Sequence, residues 1–448
     1  MTLKFEGGAR TVTGSNYLLS QDETKILVDC GLHQGSNFCE RHNFEPFPFN
    51  PREIKAVFVT HAHIDHTGLL PKLYKDGFRG RVYSTPPTKD FARELLLDSR
   101  DILRREAERE GQSELYSVKD VEGIMSLWET VDYYKPVNVH GFKVTLKNSG
   151  HILGSAFMVF EGFGKKIVFS GDLGNYSPPL IKESDPLEPV QYCLIESAYG
   201  DRIHLEGGKG PDLLEDVIEE AVLSQGTLLI PVFAMERTQQ LLFAINELIE
   251  KGKIPRVPMF LDSPLAIKLT AVYKWHEGYF NSEAKKLIAA GDSLFSFPGL
   301  TTTLTTEESK AINNVPSPKV IMAGAGMSHG GRIVHHERRY LSDPASTILF
   351  MGYQVEGSLG RRIQDGAQSV KIFGEEVPVK CRVRSISSYS AHADQKKLLN
   401  WLSPARKSLK EVFVVQGEVV PSEILATRIR DEFAVQAIVP SLGDEVVL

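Results

Sequence analysis

Residues 59–68, VTHAHIDHTG, place three histidines and an aspartate within six positions, from His61 to His66. Imidazole and carboxylate are ordinary zinc ligands, and a buried polar group left without a partner is costly. Such a cluster therefore demands a fold that brings further donors to meet it. In the pattern H-x-H-x-D-H, an extended segment lets His61 and His63 converge on one ion, while Asp65 and His66 face a second. Two ions need more ligands, and the chain offers His151 in NSGHILGSAF and Asp172 in FSGDLG. A carboxylate at Asp172 can bridge both ions. Two bridged metals suit phosphoryl transfer, because together they clamp the attacking and leaving oxygens. An isolated histidine would more readily be a cap or a core polar group, but the density of this cluster argues against that reading.

The cluster follows a short apolar run, IKAVFVT, and the same arrangement recurs. KKIVFSGDLG leads to Asp172, VQYCLIES to Glu196 and KEVFVVQGE to Gln416. Runs of this length, rich in β-branched residues, read as buried strands. In α/β sheets, chemistry gathers at the carboxyl ends of strands, where the loops are free to differ. From about 205 to 370 the pattern is plain strand–helix alternation, through TLLIPVF, MERTQQLLFAINELIEKG, VPMFLDS, KVIMAGAG and TILFMGY. Alternation of this kind predicts a parallel, doubly wound sheet forming a domain of its own. Near 98–114, DSRDILRREAEREGQSE reads as a charged, solvated helix.

Bulk properties narrow the function classes. A net charge of −6 gives no overall attraction to nucleic acid, although a local basic groove is enough for binding. The four cysteines are scattered without a C-x-x-C pair, which points to reduced thiols and a cytoplasmic protein rather than a disulfide framework or zinc ribbon. No run approaches the roughly 18 apolar residues of a membrane helix, and MTLKFEGGARTVTGSNYLL does not read as a signal peptide.

Taken in order, DCG with Asp29, THAHIDHTG, GHILGS and SGDLG resemble the successive motifs of the metallo-β-lactamase superfamily. ESAYGDR, PVFAMERTQQLL, LDSPLA, AGAGMSHGGRIVHH, SYSAHAD and VVQGE resemble its β-CASP branch of RNA-processing nucleases. The resemblance covers essentially the whole chain. It implies an α/β fold: a metallo-β-lactamase αββα sandwich with an inserted doubly wound β-CASP domain. The expected division is 1–204 and 373–448 for the sandwich and 205–372 for the insertion. By motif, His61, His63 and His151 would hold one Zn²⁺ and Asp65 and His66 the other, with Asp172 bridging and Asp29 orienting an imidazole from behind. Asp65 also belongs to the implied catalytic set, together with Glu196 and His392. In that dyad the carboxylate orients the imidazole, which protonates the leaving oxygen.

Two positions depart from the family, the milder being Ala198 in ESAYGD, where threonine is usual. The family's last motif carries histidine where this chain has Gln416, a neutral and weaker zinc ligand. Gln416 then ligates through oxygen or water, or the second site is weak, or activity is lost. The leading expectation is a zinc-dependent ribonuclease hydrolysing single-stranded RNA by a metal-activated hydroxide. The alternative is a non-catalytic or weakly active RNA-binding relative with an impaired second zinc site. Substrate contacts are expected from Arg237 and from the glycine-bearing segment with Gly326, Gly330, Gly331 and Arg332. Its G-x-G-x-x-x-G spacing is one residue too long for a dinucleotide fingerprint. Ser390 is expected to bind a terminal phosphate, and Tyr353 or Tyr389 to stack on bases. The expected partners are single-stranded RNA and a second copy in a homodimer, with no membrane.

Overall fold

A computed structural model describes residues 1–35, 41–204, 210–352, 354–386 and 391–448. The chain divides into two compact units, Met1–Ile203 with Ala391–Leu448, and His204–Ser390.

The first unit is built on two seven-stranded sheets. One runs Glu445–Val447, Thr2–Phe5, Tyr17–Gln21, Thr24–Val28, Ile54–Phe58, Arg81–Ser84 and Trp128–Thr130. The other runs Gln436–Ile438, Glu411–Val415, Tyr192–Glu196, Lys165–Phe169, Ala156–Gly162, Phe142–Asn148 and Pro136–Val139. Their facing sides share one core, with Phe5, Ile26 and Phe58 from the first sheet against Phe142, Phe160, Phe169 and Phe413 from the second. The other face of the second sheet packs Val168, Cys193 and Ile195 against Leu398, Trp401, Leu425 and Ile429 of the helices Gln395–Leu402 and Val419–Phe433. Burial follows sequence. Tyr192–Glu196 lies between two parallel neighbours and is buried at every residue, whereas Phe142–Asn148 alternates, with Lys143 exposed. The charged helix expected near 98–114 spans Pro86–Glu110 and stops at Gly111, whose φ of 68° is the left-handed conformation that favours glycine at a helix end.

The second unit contains a six-stranded sheet in the order Leu300–Thr302, Met259–Asp262, Lys319–Ala323, Thr227–Pro231, Thr347–Met351 and Arg382–Ile386, with every pairing parallel. This is the sheet that strand–helix alternation predicts. The segment LDSPLA shows how helices are started: Ser263 caps Pro264–Trp275 by accepting from Ala266 N, and Pro264 stands where no amide hydrogen is needed. The unit runs on to Ser390, past the expected 372, because Arg382–Ile386 pairs with Thr347–Met351. Among the described residues, no helix is long and apolar enough to cross a membrane.

Candidate metal centre

The strand ends of the first unit bring the site together. Ile54–Phe58 leads to Thr60 and His61, and the short helix Ile64–Thr67 carries Asp65 and His66. Two glycines allow neighbouring loops to approach. A Cβ on Gly31 would lie 1.6 Å from Asp65 O, and one on Gly174 would lie 1.6 Å from Gly150 O. These contacts bring the Asp29 loop to the histidine motif and the Asp172 loop to His151.

His61, His63, His151 and Asp172 form a group whose ligand atoms all lie within 4.8 Å of one another. His63 Nδ1 is 3.0 Å from His61 Nε2 and 3.2 Å from His151 Nε2. Asp172 Oδ2 is 3.4 Å from His61 Nε2 and 3.5 Å from His151 Nε2. Donors bound at about 2.0–2.2 Å around a tetrahedral ion are separated by roughly 3.3–3.6 Å. The two Asp172 spacings fall in that range and the two His63 spacings are a few tenths of an ångström shorter, so small side-chain shifts let this set fit a metal. Burial first, and then neighbouring imidazoles, pushes His61 and His151 well below the usual histidine range, which keeps them neutral and ready to ligate.

Asp172 turns its other oxygen to the second half of the cluster. Oδ1 is 3.4 Å from His66 Nε2, and Asp65 Oδ2 lies 3.7 Å from the same nitrogen. Burial opposes ionisation of Asp172, but the imidazoles around it outweigh burial and hold its carboxyl well below the usual range. Asp29 sits behind His66, with Oδ2 2.8 Å from His66 Nδ1. Thr60 was not singled out by sequence, yet its amide and hydroxyl both donate to Asp29 at 2.8 Å. Its place directly before the first histidine was the available signal. Gln416 ends the strand Glu411–Val415 with φ 48° and is 3% exposed. Its amide end lies 2.7 Å from His66 Nε2 and 3.2 Å from Asp172 Oδ1.

Glu196 and His392 meet beside this cluster. Both Glu196 oxygens lie 3.4 Å from His392 Nδ1, and Asp172 Oδ2 lies 3.8 Å from it. Glu196 is fully buried and accepts from Leu173 N at 2.6 Å. Backbone bonds on either side, Asn175 N to Ala391 O and Ala393 N to Leu173 O, stitch His392 to the Asp172 loop. Burial lowers the imidazole's proton affinity, but Glu196 and Asp172 more than reverse this and raise it to about 9. The first unit thus joins all six expected metal ligands, Asp29, Gln416 and the dyad.

The expected substrate residues belong to the second unit. Arg237 opens the helix Arg237–Glu250 and is half-buried. Gly326 lets the Phe233 ring approach, since a Cβ there would lie 2.6 Å from it, and Gly331 adopts φ 72° against Gly324 O. Arg332 is engaged inside its own unit, donating to Asp262 Oδ1, Thr303 O and Leu304 O at 2.7–2.9 Å. Asp262 also accepts from Thr303 and Ser309 and lies 2.7 Å from His336 Nε2. Ser390, Tyr389 and Tyr353 lie outside the described residues.

Comparison with known proteins agrees with this architecture. Residues 9–207 match the metallo-beta-lactamase superfamily, 238–363 the Beta-Casp domain, and 376–440 the Zn-dependent metallo-hydrolase RNA specificity domain. The chain is 37% identical over 412 residues to Ribonuclease TTHA0252 of Thermus thermophilus, covering 92% of each. It is 30% identical to an RNase J-like protein of Methanocaldococcus jannaschii, covering 98% of each. It is 33% identical to Transcription termination factor FttA of Methanosarcina mazei, covering 92% of this chain and 66% of that longer relative. A solved structure from Enterococcus faecalis V583 shares the fold at a TM-score of 0.57 and 12% identity, covering 100% of this chain and 99% of that one. Motif order, two-unit architecture and near full-length relatives agree: the chain belongs to the metallo-β-lactamase superfamily, in its β-CASP branch.

Proposed function

We propose that this protein is a zinc-dependent ribonuclease that hydrolyses phosphodiester bonds of single-stranded RNA. The observation that carries the reading is the convergence of His61, His63, His151 and Asp172, with the Glu196–His392 dyad beside them. The names of the relatives and the match to an RNA specificity domain support RNA as the substrate. The buried free thiols Cys30, Cys193 and Cys381 are consistent with a reducing, cytoplasmic setting.

His61, His63, His151 and Asp172 would hold one ion, and Asp65, His66 and Asp172 a second. Divalent ions held there supply Lewis acidity, polarising a phosphoryl oxygen and lowering the pKa of water toward neutrality. Asp29 keeps His66 in place by accepting from Nδ1, which leaves Nε2 as the nitrogen that would hold a metal. Glu196 does the same for His392: with Nδ1 turned to the carboxylate, Nε2 is the nitrogen that gives its proton to the leaving oxygen as the P–O bond breaks. Arg237 and the backbone of Gly326, Gly330 and Gly331 are assigned to phosphate contacts.

The test pairs metal analysis with cleavage of end-labelled single-stranded RNA. Wild-type protein loaded with zinc should shorten the RNA, and His63→Ala should lose both bound metal and cleavage. Fully metallated protein that leaves varied RNAs intact would sink the catalytic reading. It would favour the non-catalytic RNA-binding alternative that Gln416 raises.

A further inference from the structure

The two halves of the cluster differ in donor chemistry, and the difference originates at Gln416. His61, His63 and His151 give the first half three imidazole nitrogens beside Asp172 Oδ2. The second half has one imidazole. His66 Nε2 faces Asp172 Oδ1 at 3.4 Å and Asp65 Oδ2 at 3.7 Å, and the remaining side chain is the amide of Gln416.

The local structure holds that amide at the ligand position. Gln416 N donates to Gly8 O at 2.7 Å, fixing the backbone. Gly8 has φ 63°, and a Cβ there would lie 3.3 Å from Gln416 Cγ and 2.5 Å from the Tyr17 hydroxyl, so the side chain is packed from behind. The amide end reaches 2.7 Å from His66 Nε2 and 3.2 Å from Asp172 Oδ1, within hydrogen-bond distance of two of the other donors, so it borders the same space. Its nitrogen and oxygen are nearly isosteric, and a half-turn of the amide puts Oε1 where Nε2 stands. The half then offers one nitrogen and three oxygens.

Ligand softness separates such sets. Imidazole-rich sites suit zinc, while carboxylate and carbonyl oxygens suit magnesium and manganese. We propose that the position formed by Asp65, His66, Asp172 and Gln416 takes a hard, oxygen-preferring divalent cation, of which Mn²⁺ is the probe, while the His61–His63–His151–Asp172 position takes zinc. The proposal rests on the reading of this cluster as a metal centre, and its test counts ions instead of turnover.

Metal-stripped protein reloaded with Zn²⁺ alone and desalted should carry one zinc per chain by elemental analysis and native mass spectrometry. Mn²⁺ titrated into that form should add one ion, read from loss of the free-Mn²⁺ paramagnetic resonance signal. Gln416→His should raise retained zinc to two and weaken manganese uptake by roughly tenfold or more, the scale on which changes around a metal site act. Gln416→Leu keeps the bulk but removes the oxygen, so it should lose manganese and retain the first zinc. Two zincs on the wild-type chain, or manganese uptake by Gln416→Leu equal to wild type, would overturn the proposal alone. A wild-type chain that holds no zinc would overturn the metal-centre reading along with it.

Discussion

Glu196 combines complete burial with a carboxylate aimed at His392, and this sets a pH signature. His392 is raised to about 9, so it keeps its proton through neutral pH and loses it as pH rises through that value. A reaction that needs this proton should therefore fall on an alkaline limb. Glu196→Gln removes the carboxylate that does most to raise the imidazole, and the limb should move to lower pH while bound metal is unchanged. His392→Ala should cost about 10²–10⁴-fold in rate, the usual size of general acid catalysis. Both follow from pH profiles of kcat/KM on a labelled RNA. At this scale the sequence was informative about the cluster of candidate ligands, because His61, His63, Asp65 and His66 are neighbours in the chain. It was silent on Thr60 as the partner of Asp29, since that hydrogen bond joins residues 31 apart.

Between elements, close backbone approach is the controlling feature. Gly174 touches Gly150 O, and its loop carries Asp172 on one side and bonds to Ala391 on the other. Gly174→Ala must push these loops apart. It should cost about 1–3 kcal/mol by chemical denaturation and loosen metal binding at the His151 side. In the second unit, the helix Ile333–Tyr340 buries Glu337, which accepts from Ser328, and burial pushes its carboxyl up to about 7. Because the folded value is the raised one, the penalty is absent below about pH 4.3, grows to about pH 7 and is constant above. Glu337→Gln should therefore gain up to about 3 kcal/mol at pH 8, with the gain shrinking as pH falls. Denaturation curves of the two proteins at several pH values would reveal a pH-independent difference if this account were mistaken. Strand–helix alternation made the parallel sheet of this unit legible. The hydrogen bond from Arg332 to Asp262 was not, because the two lie 70 residues apart and only the fold brings them together.

The two units make a modular molecule. The second unit leaves the first after Ile203, and the chain returns at Ala391. Those points are adjacent within the first unit, where Gln395 N donates to Arg202 O at 3.0 Å and Gln395 Nε2 to Gly200 O at 2.6 Å. Replacing residues 204–390 by a short glycine–serine linker should leave a folded body that still binds metal, seen by circular dichroism and metal content. Cleavage of RNA should be lost. The same arrangement has a consequence in time. Tyr192–Glu196 sits inside its sheet only because Glu411–Val415 pairs beside it. During synthesis at about 5–20 residues per second, that partner emerges on the order of tens of seconds later. For that interval the growing chain carries an apolar strand with one edge open, and whatever shields nascent chains must cover it until the return segment arrives.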